Sequence, residues 1–170
     1  MDTIEAIMTR RSIRQYIDRS VDQVHVEKIL QAAMQAPSAR NTQAWQFIII
    51  NQREILNRIA DFHPYAEMLP KAPLAIAVCA DLEQEKSIEY CALNCAAATE
   101  NILLAAWELG LGSVWLGIYP REKRMRDLSR LLNLPQKIIP ISLIAVGYPA
   151  EKKPQVDRFS QDKVHLNRWS

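Results

Sequence analysis

The sequence predicts an α+β fold of the layered α/β kind, one β-sheet flanked by helices, in a single domain spanning residues 1–170. Three observations carry this. Four short apolar runs, at residues 45–50, 74–80, 113–117 and 138–146, have the length and the β-branched or small-apolar content of buried strands. Segments with helical spacing of apolar residues separate them. The chain has 170 residues, 49% hydrophobic and 24% charged, enough to build one core without staples.

The elements follow in order. Asp2 or Thr3 caps a short helix that places Ile4, Ile7 and Met8 on one face. A second helix starts near Asp22, with Val21 as a staple and Val26, Ile29, Leu30, Ala33 and Met34 forming one apolar stripe. Pro37 ends it, and residues 37–42 read as a loop. The run at 45–50 is a buried strand, 53–62 a short helix, and 74–80, after Pro73, a second buried strand. Residues 89–109 form a long central helix, apolar around most of its circumference and stopped by Gly110. A third strand at 113–117 precedes an amphipathic helix at 121–132 with Met125, Leu128, Leu131 and Leu132 inward. The fourth strand at 138–146 is set off from its turn by Pro140. Beyond Gly147, residues 150–170 are polar and aperiodic, yet end in Val164, Leu166 and Trp169, as a tail does that docks on a partner subunit.

Composition excludes several functions. A net charge of +2 is too small to point to nucleic acid or an acidic membrane. The apolar stretch 91–111 carries Asn94, Thr99, Glu100, Asn101 and Glu108, which suits a core helix and not a bilayer span. The first residues lack the basic-then-apolar order of a signal peptide, and Cys79, Cys91 and Cys95 read as buried thiols, so a reducing cytoplasm is expected. The histidines His25, His63 and His165 are scattered and read as exposed or capping residues; Glu83 and Glu85 read as a solvated run. No hydrolytic or metal constellation emerges.

Three segments have chemical potential. Arg10, Arg11, Ser12 and Arg14 put three guanidiniums and a hydroxyl within five residues, a set that can surround a phosphate. The same cations also suit the end of a helix with no ligand at all. The loop at residues 37–43, with Pro37, Ser38, Ala39, Asn41 and Gln43, offers amide donors and acceptors that match a flat polar heterocycle, or serves as a plain connector. Of four glycines, Gly110, Gly112 and Gly117 fall in one segment. They follow a helix and precede or end a strand, the reverse of the dinucleotide fingerprint, so a Rossmann site is rejected and close backbone access near Gly117 is expected.

Taken together, the arginine cluster, residues 33–45, the helix segment 94–106 and residues 110–117 resemble the nitroreductase family of FMN-dependent oxidoreductases, its short members above all. The resemblance spans nearly the whole chain. It implies a mixed, helix-flanked sheet and a homodimer with FMN at the subunit interface. Arg10, Arg11 and Ser12 would hold the phosphate and ribityl chain, Arg14 the N1–C2=O edge of the isoalloxazine. Pro37, Ser38, Ala39, Asn41 and Gln43 would approach from the other subunit. Trp115, Leu116 and Gly117 would meet the N5 and C4=O edge through their backbone, and Arg158 would add to the phosphate site. Tyr65 and Met68 fall where substrate stands over the ring.

The activity implied is electron transfer from NADH or NADPH to a small oxidised acceptor, such as a nitroaromatic or quinone, by a ping-pong cycle. The flavin performs the chemistry, so no catalytic side chain is named. Alternatives are a flavin-binding or sensing protein with little turnover, or a related flavin reaction such as reductive dehalogenation. The chain departs from the family pattern twice: Ala44 precedes Trp45 where a proline is usual, and Asn94 stands where an aspartate is common.

Overall fold

A computed structural model describes residues 2–169; Met1 and Ser170, the ends of the expected domain and tail, lie outside the described residues. Asp2 accepts a hydrogen bond from the Glu5 amide at 2.8 Å and starts α1, Thr3–Thr9. The face carrying Ile4, Ile7 and Met8 is more than half exposed, and Ala6 packs inward instead. Helix α2, Gln23–Met34, buries Val26, Ile29 and Ala33, as its spacing predicts. The side chain of Asp22, at its N-cap, makes no capping bond and instead accepts from the Tyr148 hydroxyl at 3.0 Å.

Strand β1, Trp45–Ile50, is followed by α3, Arg53–Phe62; β2, Leu74–Asp81, by α4, Ile88–Glu108; β3, Gly112–Gly117, by α5, Glu122–Leu131; and β4, Ile138–Gly147, closes the sheet. The strand order is β1-β2-β4-β3, and every neighbouring pair is antiparallel. Among the described residues, the parallel pairing of the expected mixed sheet is a single bridge, Ser12 to Ser113. Helices α3 and α5 each join antiparallel neighbours at one end of the sheet, whereas α4 crosses over to link β2 to β3, which run parallel to each other on either side of β4.

β2 and β4 lie at the centre and are covered on both faces, hence their unbroken apolar runs. β1 is an edge strand, so the expectation of a buried strand holds only for its two ends, Trp45 and Ile50. Pro140 sits inside β4 and not at its turn. The register shifts opposite it, between Val78 and Cys79, a bulge that accommodates the missing N–H.

Alternation along the strands feeds two cores. Leu74, Ile76, Val78, Ile144 and Val146 pack with α2 and α4, while Ala75, Ala77, Leu143 and Ala145 pack with α3 and α5. A buried hydroxyl pair crosses the first interface. The buried Thr99 and Ser142 hydroxyls lie 2.7 Å apart, and Thr99 donates to the Cys95 carbonyl.

After α1 the chain runs along the free edge of β3. The Ile13 amide donates to the Ser113 carbonyl at 2.9 Å, and Ile13 covers Gly112 so closely that a Cβ there would lie 2.6 Å from it. The start of the tail pairs with this segment in turn, through the Tyr16–Pro149 bridge and the Ala150 amide on the Gln15 carbonyl. Further on, Phe159, Leu166 and Trp169 are 76–86% exposed, so these apolar groups of the tail stay largely uncovered, Trp169 stacking only on His165.

Candidate active site

The backbone of β3 provides the central feature. Ser113 turns its carbonyl away from β4 toward Ile13. Residues two apart in a strand direct their N–H and C=O groups to the same side. The backbone groups of Trp115 and Gly117 therefore also face the free edge. The Gly117 carbonyl confirms this direction: it accepts from His63 Nε2 at 3.1 Å and from the Arg124 guanidinium at 2.8 Å. Beside Gly117 there is open space where a Cβ would stand. This edge, with Leu116, forms one wall of a cleft of about 230 Å³, completed by Arg14, Pro64, Tyr65, Glu67 and Met68. A larger adjoining cleft of about 720 Å³ shares Arg14, Glu67 and Met68 and is lined further by Tyr16, Lys71, Glu151 and Lys153.

Several expected residues thus meet: Arg14, Tyr65, Met68, Trp115, Leu116 and Gly117. Arg14 is exposed, with its own amide held by Glu151 Oε1 at 2.6 Å. Ser12 is half-buried, and its carbonyl accepts from Lys153 Nζ at 2.7 Å. Lys153 is a cation of this site that the sequence reading left in a featureless tail; its signal was the lysine pair at 152–153, and only the fold carries it back to Ser12.

Arg11 parts company with its neighbours. It is 8% exposed, and its guanidinium donates to the carbonyls of Pro154, Met8 and Arg10. In an extended segment it points opposite to Ser12 and Arg14, and there it braces the tail. Arg10 lies against Glu100, 3.5 Å away, and Arg158 is exposed in the tail; neither lines the two clefts.

The loop at residues 37–43 lies elsewhere. It leads into β1, at the opposite edge of the sheet from β3, three strand spacings or about 14 Å away. Arg40, Asn41 and Gln43 all hold positive φ, uncommon for residues with side chains, so the surroundings must enforce the shape. They do. The Ala39 amide donates to Asn94 Oδ1 at 3.0 Å, the Gln43 amide to Ser38 Oγ at 3.1 Å, and Gln43 Nε2 to Asn41 Oδ1 at 2.8 Å. Arg40 forms an ion pair with Glu85. Pro37, Asn41 and Gln43 remain exposed, facing away from their own chain's cleft.

The site corrects two readings. Glu85 is no solvated carboxylate: it is 3% exposed, and the Ser87 amide and then Arg40 hold its carboxyl below the ordinary range. His63 is the C-cap of α3, as the capping half of its reading has it, but it is buried at 1% exposed and not solvated. Burial lowers its pKa, and the Tyr65 amide donates to its Nδ1 at 3.2 Å, so the neutral ring carries its proton on Nε2 toward Gly117. The three cysteines are buried and free, with burial pushing the Cys79, Cys91 and Cys95 thiols to about 12, 11 and 12. None forms a thiolate at neutral pH. Asn94 shows what replaces an aspartate: its carbonyl oxygen supplies the acceptor Ala39 needs, and its buried Nδ2 makes no hydrogen bond among the described residues.

An unpaired strand edge that offers backbone donors and acceptors, a glycine that leaves room beside it, and an exposed guanidinium in the same cleft suit a flat heterocycle bearing negative charge. FMN is such a group, and Arg14, Ser12, Lys153 and the Trp115–Gly117 backbone fit its ring edge and its phosphate-bearing chain.

The comparisons with known proteins agree. The model of the nitroreductase family matches residues 7–63 and 63–148, and the chain belongs to that family. A protein of Methanothermobacter thermautotrophicus, provisionally named an NADH dehydrogenase/NAD(P)H nitroreductase, is 48% identical over 99% of this chain and 88% of its own length. A solved structure of a protein with the same provisional name from Parabacteroides distasonis superposes with a TM-score of 0.95, at 38% identity and 98% coverage of both chains. The structure of an FMN-dependent nitroreductase from Clostridium difficile superposes with a TM-score of 0.91, at 32% identity over 98% of this chain and all of that one. Among the described residues no helix is long and apolar enough to cross a membrane.

Proposed function

We propose that this chain is an FMN-dependent oxidoreductase that takes electrons from NADH or NADPH and passes them to a small oxidised acceptor of nitroaromatic or quinone type, in a ping-pong order, as a cytoplasmic single-domain protein. The observation that carries the reading is the meeting of Arg14 with the outward backbone of Trp115 and Gly117 in one cleft. Bound FMN supplies hydride acceptance and donation. The chain's own groups do the rest. Arg14 favours negative charge on the pyrimidine edge of the ring. Trp115 and Gly117 orient its other edge through the backbone, Ser12 and Lys153 stand ready for the phosphate-bearing chain, and Arg10 joins them only by turning from Glu100. Tyr65 and Met68 bound the space over the ring, where planar donor and acceptor fit by turns.

The proposal includes a homodimer. The loop with Ser38, Ala39, Asn41 and Gln43 lies at the sheet edge opposite Arg14, so it reaches a flavin only on a second copy. The exposed Ile4, Ile7 and Met8 of α1 and the exposed Phe159, Leu166 and Trp169 of the tail give such a copy apolar surface to cover. Arg158 and Arg11 enter the proposal only in this way, the first through the tail and the second by bracing it.

The test is the visible spectrum of the protein loaded with FMN, before and after NADPH or NADH is added without oxygen. Prompt bleaching supports the oxidoreductase. Bound flavin that stays oxidised favours a binding or sensing role, and failure to bind FMN overturns the site.

A further inference from the structure

We propose that His63 and Arg124 are positioning residues that pin the Gly117 carbonyl, and so hold the end of β3 in the geometry that turns the Gly117 N–H to the flavin ring; this rests on the FMN reading above. Gly117 is the last residue of β3 and has no side chain, so neither ladder nor packing holds its far side. A glycine in such a place has more conformational freedom than any other residue. Its carbonyl is nevertheless held twice, by His63 Nε2 at 3.1 Å and by Arg124 at 2.8 Å. The Gly117 N–H shares a peptide plane with the Leu116 carbonyl, which faces β4 in the ladder, so it points outward; holding the next carbonyl, that of Gly117, keeps the end of the strand from fraying out of this geometry.

The two holders are themselves tied to the opposite wall of the cleft. The Tyr65 amide donates to His63 Nδ1, which leaves the imidazole one way to serve Gly117, as a donor through Nε2. The Arg124 guanidinium stands 5.4 Å over the Tyr65 ring, whose edge faces His63 at 6.3 Å between centroids. Gly117, His63, Tyr65 and Arg124 thus close a ring of contacts around one end of the cleft. Neither His63 nor Arg124 lines that cleft, and both act through Gly117.

The test uses the full chain loaded with FMN. His63→Leu, His63→Gln, Arg124→Leu and, as a charge control on the same helix, Arg126→Leu are compared by the visible spectrum and FMN dissociation constant of the oxidised, donor-free protein, which a loosened Gly117 contact shifts, by the limiting rate of anaerobic FMN reduction at saturating NAD(P)H, and by the donor KM. His63→Leu and Arg124→Leu should each lower the limiting rate roughly tenfold, with donor KM within about twofold, because a loosened donor loses orientation and not substrate binding. His63→Gln, which keeps an amide donor, should recover most of the rate, and Arg126→Leu should match the parent. An unchanged limiting rate in Arg124→Leu overturns the proposal, as does a raised KM at constant rate, which makes Arg124 a donor-binding group. Arg124 is on an exposed helix, so its variant decides the question even where His63→Leu fails to fold. Loss of FMN binding or reduction in the parent protein overturns the flavin reading instead.

Discussion

Replacing Gly112 by alanine tests whether the arginine segment is held on the sheet edge by close backbone packing. The new Cβ would lie 2.6 Å from Ile13 Cγ2 and 2.7 Å from Ile13 Cβ. Carbon atoms pack at about 3.5–4.0 Å, so the two groups overlap by about 1 Å. Rotating Ile13 does not help, because its Cβ is fixed to the backbone. The segment must lift, and the Ile13–Ser113 hydrogen bond, now 2.9 Å, is stretched beyond hydrogen-bonding range. Overpacking costs about 1–3 kcal/mol and the lost bond about 1, together about 2–4 kcal/mol. At this chain length each kcal/mol is roughly 2–4 °C in melting temperature. Ser12 and Arg14 move with Ile13, so FMN affinity should fall roughly tenfold, the equivalent of about 1.4 kcal/mol. Ile13→Val keeps every clashing atom and should give no relief in the double variant. Urea unfolding and FMN titration measure both effects. A variant within about 0.5 kcal/mol of the parent, with unchanged FMN affinity, refutes the reasoning.

Three further predictions follow from buried groups. Thr99→Val should cost about 1–3 kcal/mol in urea unfolding, because it strands the buried Ser142 hydroxyl, and adding Ser142→Ala should recover part of that loss. The folded-state pKa of His63 lies below the ordinary 6.5, so the unfolded chain binds more protons in that window. Stability should therefore be fully present above pH 6.5 and fall as the pH drops below it, before the carboxylates titrate; melting curves between pH 7.5 and 5 should show this fall flattened in His63→Gln. Glu85→Gln should weaken FMN binding while leaving circular dichroism unchanged, since Arg40 loses the charge that fixes a loop with three positive-φ residues; equal FMN affinity in titration would count against that loop's part in the site.

Much of the site was legible as segments. The cluster at Arg10–Arg14, the amide-rich loop and Gly117 each carry a local signature, because guanidiniums, amides and glycine have chemistry visible in isolation. The burial of Glu85 and of the α3 cap His63 was not legible for one reason: a charged or imidazole side chain next to polar neighbours looks solvated until the fold shows what covers it. The alternation of an extended chain already turns Arg11 away from Ser12 and Arg14; the resemblance placed it at the phosphate, and only the fold shows that it braces the tail at Pro154 instead.

The sequence by itself determined the α+β class, the number and placement of strands and helices, and which helix faces are apolar. These follow from periodicity and from residue preferences that act over a few positions. Tertiary structure alone decided the antiparallel order β1-β2-β4-β3, which puts the two halves of the candidate site at opposite edges of one sheet. It also brought Lys153 to Ser12, Glu85 to Arg40, and His63 and Arg124 to the Gly117 carbonyl. These partners are 45 to 141 positions apart, except the Gly117–Arg124 pair, seven residues apart across the end of β3. Strand order and edge exposure come from the packing of all layers together, and no local pattern encodes them.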